Sequence, residues 1–121
     1  MKKKSPSWSH ILKTACERTG LKPDEVEVGV YIVSPEKMRE LNKKHRGKDK
    51  STDVLSFPIR IKHDILYLGD IFVNKEEPPS RLPFLVVHGF LHLVGYDHER
   101  SKKDEKVMFS MQNEILDHLR D

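Results

Sequence analysis

The run from Leu82 to Val94 constrains this chain most, because its apolar residues (Leu82, Phe84, Leu85, Val86, Val87, Phe90, Leu91, Leu93 and Val94) leave no polar face. A helix apolar all round has to be buried, packed between a sheet and a further element. Yet it carries His88 and His92, and His98 follows, giving the spacing H-x3-H-x5-H. Four residues make about one helical turn, so His88 and His92 project from one face, close enough to share an ion. Gly95 suits the left-handed residue that ends a helix and turns the chain back, which lets His98 approach as a third ligand.

Burying three unpaired imidazoles is costly, whereas one shared divalent ion satisfies all three. Three neutral imidazoles plus an open position are the ligand set of a catalytic zinc rather than a closed structural one. Nickel, copper or iron would be held by the same donors. An ion of this kind lowers the pKa of its water toward about 7 and polarises carbonyl or phosphoryl oxygens, so hydrolysis is the natural reaction class. Asp97 precedes the third ligand and reads either as a carboxylate orienting an imidazole or as a turn residue.

The remaining elements supply what such a helix must pack against. Ser5-Pro6 reads as a cap and first helical residue, followed by a stripe of Trp8, Ile11, Leu12, Ala15 and Cys16 that Gly20 stops. Val26, Val28, Val30 and Ile32 alternate with Glu27, Gly29 and Tyr31, a half-buried strand. Ser34-Pro35 opens a short helix with Met38, Leu41, Asn42 and His45 inward, and a basic loop from His45 leads to a strand at Val54–Phe57 closed by Pro58. Strand, helix, strand at this spacing suggests a parallel crossover. Ile59 and Ile61 could extend the second strand toward a third at Ile65–Val73, with Gly69 a bulge or close-approach site. Ser80 is a candidate cap for the apolar helix. Ser101 and Asp104 open a last one, with Val107, Met108, Met111, Ile115, Leu116 and Leu119 as its stripe.

The expected fold is α+β: one domain over residues 1–121, with a small mixed sheet of three or four strands packed with about four helices, and the metal site at the end of the buried helix. A chain of 121 residues supports one modest core. With 34% charged and 36% hydrophobic residues it reads as globular. No apolar run approaches the roughly 20 residues a membrane span needs, and the basic start followed by Pro6 is not expected to be a signal peptide. The lone Cys16 excludes an internal disulfide or CxxC site, so a cytoplasmic setting is expected. Between Lys37 and Lys50 stand seven basic residues against Glu40 and Asp49. That run is either a solvated helix face and loop or a footprint for a polyanion.

The histidine spacing matches the metzincin protease pattern H-E-x-x-H-x-x-G-x-x-H at every position but one. Gly89 stands where those proteases have the glutamate that serves as general base, which counts against a metallopeptidase.

His88-Gly89-Phe90-Leu91-His92-Leu93-Val94-Gly95-Tyr96-Asp97-His98 resembles the H-G-x-L-H-L-x-G-Y-D-H motif of the YbeY-type endoribonucleases. Leu41-Asn42 with Arg46-Gly47-Lys48-Asp49-Lys50 agrees as well, as do Thr52–Pro58, Leu68-Gly69-Asp70-Ile71 and the tail with Met108, Met111, Glu114 and Ile115. The resemblance implies a zinc-dependent, single-strand-specific endoribonuclease of ribosomal RNA maturation, at the 3′ end of the small-subunit RNA, and of ribosome quality control. It implies zinc on His88, His92 and His98, a functional role for Arg46, and a ribosomal subunit or ribosomal protein as partner. A guanidinium grips phosphate oxygens bidentately, which suits Arg46 to that role; otherwise it is one more solvated charge. Ser51 replaces a proline common in the family, and the segment between Val73 and His88 is shorter than usual. The general base is open, with Asp70 and Asp97 as weak candidates. The alternative function is a ribosome-assembly or RNA-binding factor whose zinc is mainly structural.

Overall fold

In the computed structural model the chain is described from Pro6 to Arg120, with side chains from Ser9 onward. It runs α1 (Pro6–Arg18), β1 (Val26–Val33), α2 (Pro35–Arg46), β2 (Val54–Lys62), β3 (Leu66–Asn74), α3 (Leu82–Leu93) and α4 (Lys102–Arg120), with 3-10 turns at Pro23–Glu25 and Pro79–Arg81. Ser5, the expected cap of α1, lies outside the described residues, as does the side chain of Trp8. The expected α+β architecture holds, with three strands and four α-helices among the described residues.

The sheet order is β1-β3-β2. β1 pairs with β3 in parallel and β2 pairs with β3 antiparallel, so the sheet is mixed. This corrects the expected parallel crossover from β1 to β2: the hairpin inserts β3 between them, and β1 and β2 run in opposite senses. Pro58 does not close β2, which continues to Lys62. β2 is an edge strand, where a missing N–H is tolerated, and the register shifts between Pro58 and Ile61. Gly69 is the close-approach site, since a Cβ there would lie 2.3 Å from the Phe57 carbonyl.

α3 sits at the centre, touching β2 and β3 on one side and α1 and α4 on the other. Its Leu85, Val86, Val87, Phe90, Leu91 and Leu93 are buried, as the apolar run required. They meet Leu68, Ile71 and Val73 of β3, Ala15 and Cys16 of α1, and Met108 and Ile115 of α4. Val107, expected in the α4 stripe, is instead half exposed, and Gln112 occupies a buried position. α2 covers part of the opposite sheet face, burying Met38 and Asn42.

The caps fall mostly where the sequence put them. The Ser34 hydroxyl accepts from the Lys37 amide at 3.1 Å, and the Ser101 hydroxyl from the Asp104 amide at 3.1 Å. Ser80 does not cap α3, because the 3-10 turn carries the chain into the helix and Arg81 holds the cap position without a side-chain bond. α2 also runs one residue past His45, so His45 and Arg46 belong to its last turn and not to the loop; Gly47 ends it in the left-handed conformation.

Among the described residues, no helix is long and apolar enough to cross a membrane.

A candidate three-histidine metal centre

α3 delivers His88 and His92 from consecutive turns, and the segment after it delivers His98. The helix ends as its glycine demands. Gly95 has φ +107°, its amide donates to the His92 carbonyl at 3.1 Å, and the Tyr96 amide returns to the Leu91 carbonyl at 2.9 Å. The reversal brings His98 back over the helix end. Ring centroids lie 4.8 Å apart for His88 and His92, and 5.2 Å from each of them to His98. One ligand atom from each residue falls within 4.8 Å of the others.

Hydrogen bonds decide which nitrogens face inward. His88 Nδ1 lies 2.9 Å from Gln112 Oε1, and His92 Nδ1 lies 3.1 Å from the Tyr96 carbonyl oxygen. Both partners only accept, so each Nδ1 carries the proton and each Nε2 presents a lone pair. Those two Nε2 atoms stand 3.2 Å apart, while two nitrogens bound tetrahedrally to one ion at about 2.0–2.1 Å would stand roughly 3.3 Å apart. Two lone pairs facing at this distance repel unless a cation lies between their axes. The donor set therefore fits a metal ion. Burial pushes both imidazoles below the usual histidine range, and for His92 the neighbouring His88 adds to the effect. Both rings are thus held in the neutral form that binds metal.

Gln112 was not singled out from the sequence. The signal was available: it is a polar residue four positions after Met108 and three before Ile115, hence on a buried face. Arg60 is another such residue. The register shift in β2 gives it φ 59°, and its Nη2 donates to the Leu93 carbonyl at 2.6 Å, holding the last turn of α3.

The three histidines open onto a cleft of about 530 Å³ whose walls include Arg46, Asp53, Ser56, Asp97 and Glu99. Arg46 therefore reaches the same cleft as the histidines, and no side chain among the described residues pairs with its guanidinium. Its neighbours are otherwise engaged: Arg39 Nε bonds Asp49 Oδ1 at 2.6 Å, and Lys43 lies 3.9 Å from Asp49 Oδ2. Asn42 Nδ2 donates to the Lys50 carbonyl at 2.9 Å, tying the basic loop to α2. Ser51, in place of the expected proline, accepts from Asn74 Nδ2 at 3.0 Å and so anchors the start of β2.

The carboxylates separate clearly. Asp97 lines the cleft, but its Oδ1 accepts from the Glu99 amide at 2.8 Å, which is the turn role. Asp70 does not reach the cleft. It lies on the far sheet face and accepts a hydrogen bond from the Tyr67 hydroxyl. Asp53, quoted only within a motif at the level of sequence, lines the cleft, and its Oδ1 accepts from the Val54 amide at 2.7 Å.

Gly89 presses on the sheet. A Cβ there would come within 2.8 Å of Ile71 Cγ2 and 2.9 Å of Ser56 Oγ. Ser56 Oγ donates to the Gly89 carbonyl at 3.1 Å. The position where a metzincin holds its glutamate is closed by the close approach of α3 to β2 and β3.

Three convergent imidazoles on an α+β scaffold, opening onto a cleft that also holds an unpaired arginine, form a group that could hold a metal ion beside a free cation, the layout of a metal-dependent hydrolase. A family model described as Endoribonuclease YbeY matches residues 2–120. The chain belongs to that family. It is 42% identical over 111 residues to the endoribonuclease YbeY of Persephonella marina, covering 80% of this chain and 72% of that protein. The Bacillus subtilis endoribonuclease YbeY is 39% identical over 129 residues, covering 89% of this chain and 81% of its own length. A solution structure of a Thermotoga maritima protein superposes with a TM-score of 0.58 at 30% identity, covering 97% of this chain and 85% of that one.

Proposed function

We propose that this chain is a zinc-dependent, single-strand-specific endoribonuclease that matures ribosomal RNA at the 3′ end of the small-subunit RNA and serves ribosome quality control. In this reading residues 1–121 act as one unit in the cytoplasm, with a ribosomal subunit or ribosomal protein as partner. Family membership supports an RNA-cleaving hydrolase. One observation carries the site assignment: the two Nε2 lone pairs 3.2 Å apart, on rings whose other nitrogens are already bonded.

His88, His92 and His98 would hold the ion. Zinc bound there supplies Lewis acidity and a water of lowered pKa. Gln112 and the Tyr96 carbonyl keep two of the imidazoles in the required tautomer. Arg46 grips the non-bridging oxygens of the scissile phosphate and offsets the charge that develops on them during attack. The basic Lys37–Lys50 segment holds the flanking backbone, so binding weakens steeply with salt.

The deciding experiment is metal analysis of protein purified without added ions, paired with cleavage of unstructured RNA by the wild type, His92→Ala and Arg46→Glu. Wild-type cleavage lost in both variants supports the reading. Cleavage surviving in both overturns it, and an inactive but metal-loaded wild type that binds RNA favours the assembly-factor alternative. Turnover of unstructured protein substrates would reinstate a peptidase despite Gly89.

A further inference from the structure

α4 holds one aromatic side chain out of its buried stripe. Met108, Gln112 and Ile115 are buried, whereas Phe109 is 38% exposed. Its ring lies against a metal-ligand candidate: the centroid is 5.8 Å from that of His98, with the planes inclined at 35°. A second phenylalanine, Phe84, stacks on His88 at 6.0 Å and 15°. The Phe84 ring is partly buried and already has a cation partner, the Arg81 guanidinium carbon lying 5.5 Å from its centroid. Of the two phenylalanines against the histidines, Phe109 is the more exposed.

We infer that the nucleobase next to the phosphate undergoing cleavage stacks on Phe109, and that this contact selects unpaired RNA. The inference rests on the endoribonuclease reading above. Arg46 and the basic loop recognise backbone charge, which single strands and duplexes both carry, so they cannot tell one from the other. A base in a duplex has its faces taken by neighbouring bases; a base in a single strand can swing onto an aromatic ring. Every base offers such a face, so the contact is tolerant of sequence. Among the described aromatic residues, Tyr96 lines the cleft but is packed against the core, and position favours Phe109 over the aromatic row on the sheet. Tyr31, Phe72 and Phe57 form a row with centroid spacings of 5.2 and 5.6 Å, but that row crosses the sheet face opposite α3. Phe109 adjoins the cleft through His98, which lines it, whereas the sheet separates the histidines from that row.

The test uses metal-loaded protein and an unstructured oligoribonucleotide, with Phe109→Leu and Phe109→Trp. The leucine variant is expected to raise KM about tenfold, the size of one lost base–aromatic stack, with metal stoichiometry and the cobalt(II)-substituted absorption spectrum unchanged. The tryptophan variant should keep the wild-type KM. In a series of oligonucleotides with one abasic nucleotide at a time, one position should make the wild type as poor as the leucine variant, and the variant should lose nothing more there. An unchanged KM in Phe109→Leu, a penalty that persists at every abasic position, or an altered cobalt spectrum (Phe109 then merely props His98) would each overturn the inference while leaving the nuclease intact. A wild type that cleaves no RNA would instead overturn the endoribonuclease reading, and this inference with it.

Discussion

Gln112 decides which nitrogen of His88 faces its fellow histidines, and it does so from a different helix. It is 3% exposed, so its carboxamide cannot be replaced by water without opening α4 away from α3. In Gln112→Leu the His88 Nδ1–H loses its acceptor, and the ring is free to flip or change tautomer. Metal affinity should fall roughly 10–100-fold, the usual effect of deleting a group that orients a ligand. Competition against a chelator of known affinity measures it. Gln112→Glu should retain most of the affinity, because a carboxylate accepts the same proton; equal losses in the two variants would show that Gln112 only fills space. The clustering of His88 and His92 was legible from spacing, because a helix places i and i+4 together whatever surrounds it. Gln112 was not, because its partner lies in another element and only the burial of α4 reveals it.

At the scale of elements, the end of α3 is fixed by β2. Arg60 adopts φ 59°, a left-handed conformation that costs a residue with a Cβ, and donates to the Leu93 carbonyl at 2.6 Å. The conformation and the bond can be separated by substitution. Arg60→Ala keeps the backbone cost and loses the bond, so it should destabilise the fold by about 1–2 kcal/mol. Arg60→Gly loses the same bond but relieves the backbone, and should be about 1 kcal/mol less damaging. Urea titrations of both, without metal, read the difference. Equal losses would mean that the left-handed conformation is not held by the fold. The spacing of β2 and β3 suggested their antiparallel pairing, which the structure has, but not the Arg60 bond or the central place of β3. Pro58 read as a stop, and nothing local indicates that β3, the last strand, lies in the middle. Pairing partners are chosen by which strand buries most apolar surface, and β3, with Leu68, Ile71 and Val73 all buried, wins the centre.

α1 closes the core on the other side, and Cys16 reports on it. Burial, with a smaller contribution from Glu17, pushes the thiol up from 9.0 to about 11. The folded state therefore holds its proton where the unfolded chain has already begun to lose it. The contribution is complete below about pH 9 and is lost progressively between about 9 and 11 as the unfolded thiolate gains. Wild type minus Cys16→Ala, compared by urea unfolding at pH 8 and pH 10.5, should show that loss. At pH 8 iodoacetamide should label folded protein far more slowly than unfolded. Labelling at the free-thiol rate would place α1 off the core.

For the whole molecule the question is whether the metal holds the fold or is held by it. α3 buries six apolar side chains, in contact with the sheet, α1 and α4. The sheet is paired along β3 on both edges without reference to the site. Removing the ion should leave this framework standing and loosen chiefly the return from Gly95 to His98, which the helix-ending turn, the Asp97–Glu99 turn, the Arg100–Asp97 ion pair and the packing of Tyr96 and Phe109 then secure. Chelated protein is thus expected to keep its far-UV circular dichroism and to unfold cooperatively. Re-adding zinc at 100 times its dissociation constant should raise stability by about 2.7 kcal/mol, the mass-action gain for a ligand bound only by the folded state. That corresponds to a thermal midpoint higher by roughly 10 °C or more for a chain of this size. Backbone exchange should accelerate around residues 94–101 and stay slow in α3 and β3. Loss of all helical signal on chelation would make the zinc structural and move the chain toward the assembly-factor reading. Retention, with a site that opens and closes on metal, is what a catalytic centre built on an independently stable core requires.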